Sequence, residues 1–273
     1  MIKETLPLKE QGSLDYARLI VYRHELSPEI AWQERPMVIV CPGGGYEYTS
    51  DREADILALQ FAAAGYHAAV LRYSTAPAEY PTALLELGRS ILTVREHAPE
   101  WGVDGEKIVL LGCSAGGHLA GSMGCFWNRS FLSEGLDCEA EDLHCAGMIL
   151  CYPVITSGEH AHHGSFRALL GERYEALKEE LSLEHCVTDQ TIPAFLWATC
   201  TDGSVPAQNS LLIAGALQQH QIPYELHIYP KGGHGLSLAN RITDDAGHNC
   251  DEPVATDWIR QALRWVEELP YEV

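Results

Sequence analysis

Residues 107–121 read KIVLLGCSAGGHLAG, and their interpretation decides the fold. KIVLLG at 107–112 is a continuous apolar run of the length expected for a strand buried on both faces, and Ser114 to Phe126 reads as a helix packed with small residues. At their junction lies Gly112-Cys113-Ser114-Ala115-Gly116, a G-x-S-x-G between strand and helix. A turn that tight has no room for side-chain bulk two residues before or after the serine, and its strained backbone presents the hydroxyl at the end of the sheet. Ser114 is therefore the candidate nucleophile. Cys113 occupies the free position of the turn and reads as packing.

Working outward, strands are expected at 14–24 (LDYARLIVYRH), 37–41 (MVIVC), 67–73 (HAAVLRY), 146–152 (AGMILCY), 193–199 (PAFLWAT) and 223–229 (PYELHIY). Helical spacing of apolar residues covers 52–64 and 81–97, with further helical stretches near 165–181 and 206–220 and a last helix at 253–268. Alternating strands and helices imply an α/β fold, a mostly parallel sheet with helices on both faces and a site at the C-terminal ends of the strands. A length of 273 residues suits one domain over 1–273. The less regular stretches 127–145 and 155–190 are expected to be excursions over the site.

Composition narrows the function. With 18 Lys and Arg against 38 Asp and Glu, the formal charge of −20 repels phosphate backbones and anionic lipid, so neither nucleic acid nor a membrane is an expected partner. No uncharged apolar run approaches the roughly 18 residues that would span a bilayer. The start, MIKETLPLKEQGS, lacks the apolar core of a secretory signal, and the nine cysteines contain no C-x-x-C pair. Free thiols and a cytoplasmic location are the expectation. A homo-oligomer is compatible with the sequence, which does not fix it.

A serine hydroxyl needs a base to take its proton and a carboxylate behind that base to fix the tautomer. Among thirteen histidines, His234 stands in KGGHG, a glycine-rich loop just past the strand ending near Tyr229; His248, in AGHNC, is its rival. Asp202 follows the strand PAFLWAT and precedes Gly203 and a helix, the position of either a catalytic carboxylate or a turn aspartate. The order Ser114, Asp202, His234 is that of α/β-hydrolases. Backbone donors for an oxyanion are expected from Gly44 or Gly45, in the triglycine after MVIVC, and from Ala115.

The segments CPGGGY (41–46), GCSAGGHLAG (112–121), TDGSVPAQNS (201–210) and YPKGGHGLSL (229–238) resemble, in order and spacing, the acetyl-esterase-like branch of the α/β-hydrolases. The likeness covers most of the chain. That branch is similar to the hormone-sensitive-lipase-like esterases but has P-G-G-G in place of H-G-G-G, and it includes bacterial enzymes that deacetylate xylan-derived and other sugars. The resemblance implies an α/β-hydrolase fold, a triad of Ser114, Asp202 and His234, an oxyanion hole at Gly44 and Ala115, and a small-molecule ester substrate such as an acetylated sugar. Short acyl groups are expected, because the two excursions are rich in Glu, Asp and His rather than in apolar residues.

Other signals carry less. Glu159-His160-Ala161-His162-His163 lacks H-E-x-x-H spacing or paired cysteines, so it reads as a polar rim and no metal is expected. His118, one turn beyond the nucleophile, reads as a packed side chain. Neither G-x-x-x-x-G-K-[ST] nor G-x-G-x-x-G after a strand is present, so no nucleotide cofactor is implied. Tyr73, Trp127 and Trp197 read as core aromatics. The acidic stretch SEGLDCEAEDLHC (133–145) has no functional reading.

Overall fold

Seven strands expected from the sequence and an eighth at the N-terminus form one sheet. The computed structural model describes residues 1–247 and 249–269. In chain order the strands are β1 (Ile2–Pro7), β2 (Arg18–Arg23), β3 (Arg35–Cys41), β4 (His67–Arg72), β5 (Val103–Cys113), β6 (Gly147–Cys151), β7 (Ala194–Thr199) and β8 (Tyr224–Tyr229). They lie in the order β1-β2-β4-β3-β5-β6-β7-β8, antiparallel at the β1 edge and parallel from β4 to β8. The helices are α1 (Asp55–Ala63), α2 (Thr82–Trp101), α3 (Ala115–Phe126), α4 (Ser130–Leu136), α5 (His163–Leu170), α6 (Tyr174–Leu177), α7 (Gln208–Gln219) and α8 (Trp258–Glu267).

The period of two along each strand sends alternate residues to opposite faces. Met37, Ile39, Leu110, Met148 and Leu196 meet α2, α3 and α7 on one side. Val38, Val40, Val109, Leu111, Ile149 and Trp197 meet α1 and α8 on the other. Both faces are covered, which is why the inner strands read as unbroken apolar runs rather than as alternation. Each fully buried Leu, Ile or Val contributes roughly 1.5–3 kcal/mol.

Four differences from the sequence reading have physical causes. β1 went unnoticed because IKETLP is an edge strand whose side chains are all half-buried or exposed, so its pattern is weak. α2 continues through Pro99 to Trp101 and stops at Gly102, whose left-handed φ of 69° ends it. The helical stretch near 165–181 is divided at Gly171, which has φ 54°. Residues 127–145, expected over the site, contribute no residue to the lining of the cleft at Ser114. They leave the far end of α3, pack on α2, where Arg89 Nη2 donates to the Leu136 carbonyl at 3.0 Å, and enter β6 from its N-terminal end. A link between a helix ending below the sheet and a strand starting there has no need to visit the top.

Candidate active site

The turn at the end of β5 is built by exclusion. A Cβ on Gly112 would collide with the Gly116 carbonyl, and one on Gly116 with the carbonyls of Cys41 and Pro42. Ser114 is held at φ 53°, ψ −117°, a conformation that costs about 1–3 kcal/mol and persists only because its surroundings over-determine it. Its N–H donates to the Cys151 carbonyl at 3.0 Å, and its carbonyl accepts from Val154 N at 3.0 Å and His118 N at 3.2 Å.

The three side chains separated in sequence come together at the C-terminal ends of β5, β7 and β8. His234 Nε2 lies 2.7 Å from Ser114 Oγ, and His234 Nδ1 lies 2.7 Å from Asp202 Oδ2. The Asp202 side chain is only 1% exposed, and its second oxygen accepts the N–H groups of Ser204 and Val205, both at 2.9 Å. The turn role of an Asp-Gly pair and a role facing histidine thus coexist on one carboxylate. An acceptor-only carboxylate opposite Nδ1 requires the proton on Nδ1, which leaves the Nε2 lone pair facing the serine hydroxyl. His248, the rival, lies outside the described residues.

The loop bearing His234 is tied on several sides. Thr199 and Thr201 hydroxyls donate to the Gly232 carbonyl at 2.7 and 2.9 Å, the Arg52 guanidinium donates to the carbonyls of Gly235 and Thr243, and Trp258 Nε1 donates to the Ser237 carbonyl at 2.8 Å. Tyr152 stands edge-on to the His234 ring at 5.3 Å between centroids. Its hydroxyl donates to Glu53 Oε1 at 2.7 Å and accepts from Ser237 N at 2.9 Å. Burial pushes the Tyr152 phenol well above its ordinary range, keeping it a neutral donor. Glu53 Oε2 accepts the Gly43 N–H at 2.9 Å, so one buried carboxylate fastens the triglycine loop to the wall behind His234.

That hydrogen bond occupies Gly43. Among the described residues none accepts from the N–H of Gly44, Gly45 or Ala115, the three candidates for oxyanion donors. Gly44 has φ 127°, and a Cβ there would collide with the Tyr48 carbonyl, so glycine is required for the loop's shape. Ala115 opens α3, whose first N–H groups have no partner within the helix. Beneath the loop, His118 is buried: its Nε2 donates to the Leu181 carbonyl at 2.9 Å and its Nδ1 accepts from the Tyr46 hydroxyl at 3.0 Å. Burial lowers its pKa to about 4. It links the triglycine loop to the 155–190 excursion, in keeping with a packed side chain.

Ser114 and His234 open into a cleft of about 380 Å³ lined further by Gly44, Gly45, Glu47, Tyr48, Ser50, Arg52, Glu53, His162, Ser204 and Gly235. No aliphatic side chain lines it. His162 comes from the 155–190 excursion, caps α5 by accepting from Ser165 N at 3.2 Å, and has a pKa lowered by burial and then by the nearby His234. His163 meets the Tyr174 hydroxyl at 2.8 Å, and His160 contributes its carbonyl to Asn209, so these histidines do not converge. Tyr73, Trp127 and Trp197 are core, and Cys113 is fully buried with its thiol pushed up by desolvation. The sequence reading missed Glu53 and Tyr152. Glu53 in SDREAD looks like surface charge; only the position of Tyr152 just past β6 could have drawn attention.

The BD-FAE family model matches residues 26–217. An endo-1,4-β-xylanase B from Butyrivibrio fibrisolvens is 37% identical over 216 residues, 76% of this chain and 33% of that protein; the chain thus spans about a third of that relative's length. Among solved structures, an acetyl ester-xyloside bifunctional hydrolase from Caldicellulosiruptor lactoaceticus is 35% identical, with 96% of this chain and 92% of that one covered at a TM-score of 0.81. A carboxylesterase from Lactobacillus plantarum is 30% identical with all of both chains covered, at a TM-score of 0.83. With a family model spanning most of the sequence and two α/β-hydrolase structures superposing on nearly all of it, the chain belongs to the BD-FAE family and has the α/β-hydrolase fold.

Proposed function

We propose that this chain is a serine carboxylesterase that removes short acyl groups, acetyl foremost, from neutral carbohydrate-like alcohols. The observation that carries the reading is the continuous run Ser114 Oγ, His234, Asp202, with 2.7 Å at each contact, facing a polar cleft from a strained turn. Ser114 Oγ attacks the ester carbonyl as His234 Nε2 takes its proton. Asp202 holds the Nδ1 proton and stabilises the imidazolium. The N–H of Ala115, with that of Gly44 or Gly45, receives the oxyanion. His234 then returns the proton to the departing alcohol, and a water activated by the same nitrogen hydrolyses the acyl-serine.

The alcohol follows from the lining. A cleft without aliphatic walls gives a long acyl chain little area to bury, and Glu47 and Glu53 in an acidic protein disfavour anionic leaving groups. The relative from C. lactoaceticus is named for acetyl esters and xylosides, which supports acetylated xylose units as the substrate class. We place the enzyme in the cytoplasm on the strength of its nine unpaired cysteines. No helix among the described residues is long and apolar enough to cross a membrane. We also read 1–273 as one catalytic unit in which the 155–190 excursion forms the rim. Acetate release from acetylated xylo-oligosaccharides by the wild type, abolished in Ser114→Ala, is the expected result; cleavage of an amide or peptide without acetate release would overturn it.

A further inference from the structure

A second cleft of about 510 Å³ adjoins the first, with Glu47 and Tyr48 lining both. Its other walls are Tyr16, Arg18, Thr49, Asp51, Arg72, Thr75 and Ala76. It is built rather than incidental. The Tyr16 hydroxyl is fixed by two contacts to Thr75, with Thr75 N and Thr75 Oγ1 each at 2.9 Å, while 42% of the residue stays exposed. Thr75 Oγ1 also donates to the Glu47 carbonyl at 3.1 Å, which closes this side of the cleft. Arg72, whose side chain is 10% exposed, pairs with Asp51 at 2.8 Å and Asp55 at 3.3 Å and donates to the Thr49 carbonyl at 3.1 Å.

From this arrangement we infer that the second cleft is a subsite for a further sugar unit of the oligosaccharide whose acetyl group sits at Ser114, an inference that rests on the esterase reading. Two exposed phenol rings, Tyr16 and Tyr48, offer flat apolar faces to the C–H side of a pyranose, while planar guanidinium and carboxylate groups match its paired hydroxyls. Charge selects the ligand. In a chain of net charge −20, this cleft sets Arg18 and Arg72 against Glu47 and Asp51 and so balances, which favours a neutral polyol over an anion or a cation. The Tyr16 ring and the two guanidinium forks are held before any ligand arrives, so little ordering of these groups is required on binding.

The test compares kcat/KM on 4-nitrophenyl acetate, monoacetylated xylose and monoacetylated xylotriose for wild type, Tyr16→Ala and Arg18→Gln. In the wild type the triose should exceed the monosaccharide. Tyr16→Ala should remove roughly tenfold of the triose value, through KM and with kcat kept, as expected for a lost stacking face. Arg18→Gln, which leaves the ring in place, should act in the same direction, and both variants should stay within about twofold of wild type on 4-nitrophenyl acetate, since neither residue touches the reaction cleft. A wild type that treats triose and monosaccharide alike, or variants that slow all three substrates equally, would overturn the subsite while leaving the esterase intact. Failure of the esterase reading itself would show separately, as absent 4-nitrophenyl acetate turnover in the wild type.

Discussion

Replacing Asp202 by Asn separates chemistry from folding at a single atom. In the structure Oδ1 of Asp202 accepts from Ser204 N and Val205 N, both at 2.9 Å, and Oδ2 faces His234 Nδ1 at 2.7 Å. Asparagine keeps a carbonyl oxygen for the two backbone donors, so the turn into α7 survives. Its amide nitrogen must then face Nδ1 and donate to it. The imidazole consequently carries its proton on Nε2, where it meets the Ser114 hydroxyl and can no longer remove that proton. A wrong tautomer in a comparable triad costs on the order of 10⁴ in kcat, or about 5 kcal/mol of barrier. Asp202→Asn should therefore lose about four orders of magnitude on 4-nitrophenyl acetate while melting within a few degrees of wild type. Asp202→Ala should lose similar activity and in addition be less stable by roughly 1–3 kcal/mol, because two backbone N–H groups lose their acceptor. Asn at 202 within tenfold of wild-type turnover would refute the assignment of Asp202 as the group that fixes the tautomer.

Gly116→Ala pushes a methyl into the carbonyls of Cys41 and Pro42, so it should lower stability in urea unfolding by at least about 1–3 kcal/mol and abolish turnover; an unchanged midpoint would contradict the packing of the elbow. On 4-nitrophenyl esters kcat/KM should fall by at least about tenfold from acetate to octanoate, since the cleft has no aliphatic wall to receive the chain, and a preference for octanoate would contradict that reading. Stability should drop on acidification: His118 titrates near 4 when folded against an ordinary 6.5, so between those values the unfolded chain binds the proton and the folded one does not. The loss from this residue approaches about 3 kcal/mol below pH 4, with the raised pKa of Glu86 acting in the opposite sense. His118→Gln should flatten the profile of unfolding free energy against pH relative to wild type, and superimposable profiles would refute the buried neutral histidine.

Whatever depends on a few adjacent residues was readable before the structure. The strand, G-x-S-x-G and helix around Ser114 form a local unit; Asp202 was legible because it closely follows the apolar run AFLWAT, and His234 because its glycine-rich loop closely follows the alternating strand YELHIY. Glu53 and Tyr152 were not, since their partners are set by tertiary packing: Glu53 meets Gly43 and Tyr152, and Tyr152 meets Ser237, across as many as 99 residues of sequence. A charged residue among Asp and Arg gives no sign that it will be buried at 3% exposure. β1 escaped because an edge strand needs little apolar content. For 127–145 the limit is different: irregular sequence shows where the chain leaves the sheet but not at which end.

In the mechanism proposed above, the acyl group passes through Ser114 with His234 as its base. Incubation with a fluorophosphonate, followed by intact mass and peptide mapping, tests it most directly. One adduct per chain is expected, on Ser114, absent in Ser114→Ala and slowed by orders of magnitude in His234→Ala. The double variant should turn over 4-nitrophenyl acetate little worse than either single one, because triad members act as a unit. An adduct on another residue, or near-normal turnover by Ser114→Ala, would contradict it.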